Sequence, residues 1–248
     1  MAGDTLIEVD RVTRRFGARR AVDAISFSVS RGEILGFLGP NGAGKSTTMN
    51  MICGVLAMTS GSIRVAGHDI VEAPAEAKQY LGYQPEKPPL YPELTVDEYL
   101  AYCARLRRVP RQRLTSAIAD IKQRCGLAEV GQRLLGNLSK GYQQRAGIAQ
   151  AMIHTPAVLI LDEPTAGLDP NQIVEIRNLI RTLGREHSVI LSTHILSEVQ
   201  GVCDRVAILQ AGQLVLDADI GSIDNLEQTF TRLTAGDQAA MPPAAGRL

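Results

Sequence analysis

The hydrophobic positions of this chain switch between two rhythms, and the switches mark its elements. Near the N-terminus, Leu6 to Val12 and Ile25 to Ser30 have the look of strands, separated by a turn-rich segment around Gly17. Arg31-Gly32-Glu33 leads into a continuous apolar run, Ile34 to Leu38, which predicts a strand buried on both faces. A glycine-rich loop and a helix from about Ser46 to Leu56 follow, and Ser60-Gly61-Ser62 with Gly67 bracket a short strand, Ile63 to Ala66.

The middle of the chain keeps only the helical rhythm. Val96 to Val109 places Val96, Tyr99, Leu100 and Cys103 on one side, and Leu114 to Cys125 repeats that character before Gly126 and Gly136 punctuate it. Strand chemistry is nearly absent from Leu94 to Asn137, which predicts a helical subdomain over about residues 87–155, inserted into an α/β core. Alternation then returns. A helix through Gln143 to Ile153 precedes the apolar strand Val158 to Leu161. A helix with Ile173, Ile176, Ile180 and Leu183 on one face precedes the strand Val189 to Ser192. The helix Ile195 to Val202 and a hairpin of Val206 to Leu209 with Leu214 to Leu216, turning at Ala211-Gly212, close the pattern. Strands alternating with helices predict a parallel sheet covered on both faces, in a single domain over residues 1–233. The Ala-, Gly- and Pro-rich stretch 234–248 is expected to be a disordered tail.

Composition narrows the function classes. At 248 residues with 45% hydrophobic and 21% charged, the chain has the make-up of a globular domain with a sizeable core. Lys+Arg and Asp+Glu both total 26, so no net charge draws the protein to nucleic acid, and no nucleic-acid partner is expected. Cys53, Cys103, Cys125 and Cys203 form no CxxC pair and have no His at metal-ligand spacing; they read as small buried thiols in a reducing compartment. The N-terminus lacks a basic-then-apolar signal pattern. No apolar stretch reaches the ~18 residues a membrane span needs. A cytoplasmic location is expected, with any membrane role exercised through a partner.

Three motifs carry chemistry. Gly39-Pro40-Asn41-Gly42-Ala43-Gly44-Lys45-Ser46-Thr47 fits the phosphate-binding pattern GxxxxGK[ST], and it stands between an apolar strand and a helix. Glycines there let backbone N–H groups surround phosphate oxygens, Lys45 would reach the β- and γ-phosphates of a bound nucleotide, and the Ser46 hydroxyl would ligate Mg²⁺. Asp162-Glu163 ends the strand Val158 to Leu161, where ligands bind in open α/β sheets. Asp162 is suited to hold Mg²⁺ and Glu163 to act as general base on the attacking water, against the plain reading of a polar strand end. In Leu138-Ser139-Lys140-Gly141-Tyr142-Gln143-Gln144-Arg145, Ser139 is a natural helix N-cap, but capping leaves Lys140, Gly141 and Gln144 unexplained at their spacing.

This last segment resembles the LSxGxxQR signature of ATP-binding-cassette (ABC) ATPases, and from Leu6 to Asp217 the other motifs occur in the family's order. The resemblance implies a P-loop NTPase fold with a RecA-like α/β core, an antiparallel β subdomain and the inserted helical subdomain. It implies an ATP-hydrolysing motor subunit that pairs with a second ABC ATPase subunit and drives separate integral membrane transport subunits. In such a dimer Ser139 and Gly141 bind the γ-phosphate of ATP held by the opposite chain's phosphate loop. Gly167-Leu168-Asp169 resembles the loop that crosses the interface, although Asp169 before Pro170 is also a good helix N-cap. His194 resembles the switch histidine at the γ-phosphate, and Phe16 the aromatic residue stacked on adenine. The family's usual glutamine, a sensor of γ-phosphate and Mg²⁺, corresponds by spacing to Glu86, while Gln84 stands two residues earlier. Tyr83-Gln84-Pro85-Glu86 together with Leu90-Tyr91-Pro92-Glu93-Leu94 is similar to motors of the ABC-2 export type, especially the gliding-motility-like branch.

Two rival readings come from other classes. A soluble ABC-type ATPase that clamps nucleic acid would carry a long coiled-coil insert between phosphate loop and signature, and translation factors carry two cassettes; neither feature is in this sequence. Iron–sulfur cluster assembly belongs to the same soluble group. A regulatory subunit that closes without hydrolysing is opposed by Glu163 and His194 and kept open by Glu86.

Overall fold

The computed structural model describes residues 5–235. Strands β1 (Thr5–Phe16) and β2 (Arg19–Ser30) form a long hairpin, and β3 (Ile34–Leu38) follows with all five residues buried. Next come α1 (Lys45–Ile52), β4 (Ser60–Val65), β5 (His68–Asp69), α2 (Pro74–Gln79) and β6 (Leu81–Gln84). The helices α3 (Val96–Leu106), α4 (Leu114–Arg124) and α5 (Lys140–Met152) occupy the middle, where one isolated bridge, Thr95 to Leu134, is the strand-like pairing outside named strands. The chain closes with β7 (Val158–Asp162), α6 (Pro170–Gly184), β8 (Ser188–Thr193), α7 (Leu196–Val202), β9 (Arg205–Gln210), β10 (Gln213–Asp219) and α8 (Leu226–Thr234).

Two sheets result. One is antiparallel, in the order β2-β1-β4-β5; the other runs β10-β9-β3-β8-β7-β6, parallel except at the β10 edge. Strand alternation divides the core. From β7, Val158 and Ile160 face the cluster shared with α1 and the antiparallel sheet, while Leu159 and Leu161 face the cluster shared with α3 to α7. Ile34 and Leu38 of β3 likewise belong to the second cluster, and Leu35 and Phe37 to the first.

Several elements depart from the sequence expectations. β1 and β2 are longer than Leu6–Val12 and Ile25–Ser30, because their charged ends stay paired across shifts of register (Arg14 with Val22, Phe16 with Arg19). The helix expected to reach Leu56 ends at Ile52, where Gly54 takes φ +60°. Strand β6 and helices α2 and α8 had no sequence expectation. Thr234 closes α8, and the expected disordered tail lies outside the described residues from 236 onward. All four cysteines are buried, and burial pushes the Cys125 and Cys203 thiols up to about 12, which makes both inert. No described helix is long and apolar enough to cross a membrane.

Candidate nucleotide-binding site

The loop between β3 and α1 begins where the buried strand ends at Leu38. Gly44 sits at φ +111° as the N-cap of α1, and a Cβ there would come within 2.7 Å of the Ala21 carbonyl oxygen, so this position admits only glycine. The first turn of α1 holds no acidic residue and no side-chain cap. Its N–H groups and the positive end of the helix dipole are therefore available to an anion. Lys45 is buried, with Nζ 2.7 Å from the Gly39 carbonyl oxygen and 3.3 Å from that of Pro40.

The alternation along β7 explains how the acidic pair meets this loop. Asp162 follows Ile160 onto the α1 side of the sheet, and the Ser46 hydroxyl donates to Asp162 Oδ1 at 3.0 Å. Register places Asp162 opposite Ser192 of β8. The Ser192 hydroxyl donates to Asp162 Oδ1 at 2.5 Å and accepts the Glu163 N–H at 2.9 Å, so one side chain positions both acids. Glu163 adopts φ +47°, a left-handed conformation that is costly outside glycine. Its side chain, almost wholly buried, has Oε1 3.5 Å from Lys45 Nζ and Oε2 2.9 Å from His194 Nδ1.

These groups border a cavity of about 550 Å³, large enough for a nucleotide. Of the residues singled out in the sequence, Phe16, Asn41, Gly42, Gly44, Lys45, Ser46, Thr47, Glu86, Glu163 and His194 line it. Gly39, Pro40, Ala43 and Asp162 stand behind: two carbonyls hold Lys45, the Ala43 carbonyl accepts the Gly212 N–H at 3.0 Å, and Asp162 backs Ser46. Phe16 is 48% exposed at the end of β1, with the Arg14 guanidinium 4.5 Å above its ring centre. Arg19, Ala21 and Ala166 line the cavity as well and were missed in the sequence. Ser192 was missed too; its signal was a polar residue ending the apolar strand Val189 to Ser192, beside a second strand that ends in an acid.

The structure also separates Gln84 from Glu86. Gln84 is fully buried at the end of β6 and hydrogen-bonded to Gln144 of α5, away from the cavity. Glu86 lines both the large cavity and an adjoining one of about 360 Å³, shared with Lys87 and Lys140. Ser139, Gly141 and Asp169 do not line the large cavity. Ser139 caps α5 by accepting the Tyr142 N–H, and Asp169 caps α6 by accepting the Gln172 N–H at 3.0 Å. The two helix starts touch, since a Cβ on Gly141 would lie 2.9 Å from Gln172 Cδ.

A glycine loop at the carboxyl end of a central parallel strand, feeding a bare helix N-terminus beside a strand-end acid, defines a P-loop nucleoside triphosphatase. Within that class the chain belongs to the ABC transporter family, whose profile it matches over residues 22–166. It shares 39% identity over 232 residues with the ABC transporter ATP-binding protein YhcH of Bacillus subtilis, covering 92% of this chain and 74% of that one. With the bacitracin transport ATP-binding protein BcrA of Bacillus licheniformis it shares 36% over 236 residues, covering 94% and 76%. A solved ATP-binding subunit of an ABC transporter superposes with a TM-score of 0.83 at 28% identity, covering 92% of this chain and 99% of that chain. The protein is the ATP-binding and ATP-hydrolysing motor subunit of an ABC transporter.

Proposed function

We propose that two copies, or this chain and a sibling ATPase subunit, sandwich two ATP molecules beneath membrane subunits on the cytoplasmic face, and that closing and reopening of this dimer drives export. The observation that carries the reading is the division of the motifs. Loop, Glu163 and His194 converge on one cavity, with Asp162 behind Ser46, whereas Ser139, Gly141 and Asp169 sit at two helix starts outside it, with Ser139 and Asp169 exposed. One chain thus holds half of a site, and a second chain's signature helix supplies the other half.

In this reading Phe16 stacks on the adenine, the loop N–H groups and Lys45 hold the phosphates, and Glu163 accepts a proton from the attacking water. His194 orients that carboxylate across 2.9 Å and contacts the γ-phosphate. Ser46 Oγ and Asp162 Oδ1 are hard oxygen donors 3.0 Å apart, a pair that fits Mg²⁺. Bound there, the ion would supply neutralisation of phosphate charge. Among the described residues no cluster of three His, Cys, Asp or Glu side chains forms another metal site. The adjoining cavity beside Glu86 and the exposed Tyr91 and Tyr102 offers a surface through which dimer closure would reach the membrane subunits. Export is supported by relatives named for bacitracin transport and, as probable, for multidrug transport.

The test uses Glu163→Gln. With ATP and Mg²⁺ the variant should sediment as a stable dimer holding two nucleotides and release no phosphate; steady turnover, or a monomer that binds ATP without dimerising, would overturn the proposal.

A further inference from the structure

Glu198 belongs to α7, lines no part of the nucleotide cavity, and is 1% exposed. Its two carboxylate oxygens hold two different loops. Oε1 accepts the Thr165 hydroxyl at 2.5 Å, and Oε2 accepts the Thr193 hydroxyl at 2.6 Å. Thr165 is two residues beyond Glu163, inside a tight turn in which the Ala166 N–H donates to the Glu163 carbonyl at 3.0 Å and the Leu168 N–H to the Thr165 carbonyl at 3.1 Å. Thr193 immediately precedes His194, and its Oγ1 also accepts the Ile195 N–H at 3.0 Å. One carboxylate therefore ties the turn behind the general base to the loop that carries the histidine.

The anchor itself is firm. A Cβ on Gly36 of β3 would lie 2.9 Å from Cys203 Sγ and 3.1 Å from Val199 Cγ1, so α7 and the residue that follows it pack directly on the central sheet. From the other side Arg177 of α6 donates to the Ser197 hydroxyl at 3.0 Å. Burying a carboxylate carries a desolvation cost that an apolar side chain of similar size avoids. An acid here is explained by what its two oxygens hold, because no hydrocarbon can accept from two hydroxyls at once.

We propose that Glu198 is a positioning residue for ATP hydrolysis: it sets the placement of His194 against Glu163 and links both to the turn that ends at Asp169. The inference rests on the roles given above to Glu163 and His194. It adds a mechanical consequence. Asp169 lies four residues past Thr165, so a displacement of that turn by a second chain is passed through Thr165 and Glu198 to Thr193 and the adjacent histidine.

Four variants test it. Glu198→Ala should lower kcat by about ten- to a hundredfold while KM for ATP stays within about threefold, the pattern of a lost alignment made in the transition state. Glu198→Gln keeps the shape and one acceptor, and should restore a large part of that loss. The double variant Thr165→Val/Thr193→Val removes the hydroxyls without touching the acid and should match Glu198→Ala. Adding Glu198→Ala to it should cost nothing more, since the three groups form one network. Turnover is normalised to nucleotide-binding sites, so a smaller folded fraction does not register as a kinetic loss. Wild-type kcat per site in Glu198→Gln and in the double threonine variant, or equal losses in kcat and in ATP affinity, would overturn the inference, whether or not Glu198→Ala folds. If Glu163→Gln still turns over, the parent reading fails; if it is inactive while the Glu198 and threonine variants run at the wild-type rate, only the positioning role of Glu198 fails.

Discussion

His194 Nδ1 stands 2.9 Å from Glu163 Oε2. The other oxygen of that carboxylate is 3.5 Å from Lys45 Nζ, so the buried acid is held between two basic groups at the edge of the cavity. His194 is itself half-exposed there, with its side chain at 49% accessibility. It can therefore meet both the acid and a phosphate.

Replacing His194 with Ala should leave Lys45 and the loop untouched and remove the orientation of Glu163. The expected outcome is a fall in kcat of roughly a hundredfold or more, with ATP affinity changed little. Stopped-flow binding of a fluorescent ATP analogue, run beside phosphate release, separates the two quantities.

Ser192 does two jobs with one hydroxyl, and its removal exposes both. In Ser192→Ala the Glu163 N–H loses its 2.9 Å acceptor and Asp162 loses a donor, while the backbone contact to the Ser192 carbonyl at 3.2 Å survives. A stability loss of about 1–3 kcal/mol is expected from the buried groups left short of partners. A higher Mg²⁺ requirement should accompany it, because Asp162 then keeps the Ser46 hydroxyl but loses its second side-chain partner. Urea unfolding and a Mg²⁺ titration of turnover read the two effects.

Glu86 gives the site a carboxylate where the family's usual residue is an amide. Glu86→Gln removes one negative charge from the cavity wall and leaves the shape of the side chain. Turnover at saturating Mg²⁺ should persist, and the half-saturating Mg²⁺ concentration should rise by about three- to tenfold, as expected for a hard cation that loses a nearby anion. An unchanged Mg²⁺ dependence would place Glu86 outside the cation's reach.

Much of this architecture is legible in the chain because its signals are local. Asp169, Pro170 and the apolar stripe through Ile176, Ile180 and Leu183 specify where α6 begins and which face it buries. The phosphate loop is one contiguous run, so it needs no tertiary information. Strand β6 is different. It has four residues, and Gly82 is required because a Cβ there would run into the Ala151 carbonyl oxygen and sit 2.9 Å from Pro156 Cγ, the latter contact made by a segment 74 positions away. A glycine that weakens the strand signal locally is thus demanded globally. The same limit hides Ser192 and Glu198. Their partners are chosen by the register of β7 against β8 and by the packing of α7 on β3, which no spacing in the chain records.

Stability should fall in mild acid. Burial, helped by the nearby Arg107, pushes the His154 imidazole from its ordinary 6.5 down to about 4, and burial lowers His187 as well. Between those two values the unfolded chain binds a proton that the folded chain refuses, so stability is full above the ordinary value and declines as pH drops toward 4. His154 alone should cost about 2 kcal/mol near pH 5. Urea unfolding at pH 7.5 and pH 5 measures the difference, and His154→Gln should reduce it.

The proposed division of each site between two chains makes a stronger demand on experiment. Lys45→Ala disables the phosphate loop of its own chain. Gly141→Asp disables only the signature: position 141 lies in the first turn of α5, where an acid suits the helix dipole, and the neighbour to be displaced is the end of the Gln172 side chain. Each variant alone should be inactive, the first failing to bind ATP and the second binding ATP without turnover. Mixed in equal amounts, half of the dimers pair one of each, and every such dimer contains one site with an intact Lys45 and an intact Gly141 from the opposite chain. Roughly a quarter of wild-type phosphate release should return, the share set by two-fold symmetry and independent sites. The return should depend on protein concentration as dimerisation does. If each chain carried its own complete site, mixing would restore nothing, and the placement of Ser139 and Gly141 outside the cavity would have to be explained by helix capping alone.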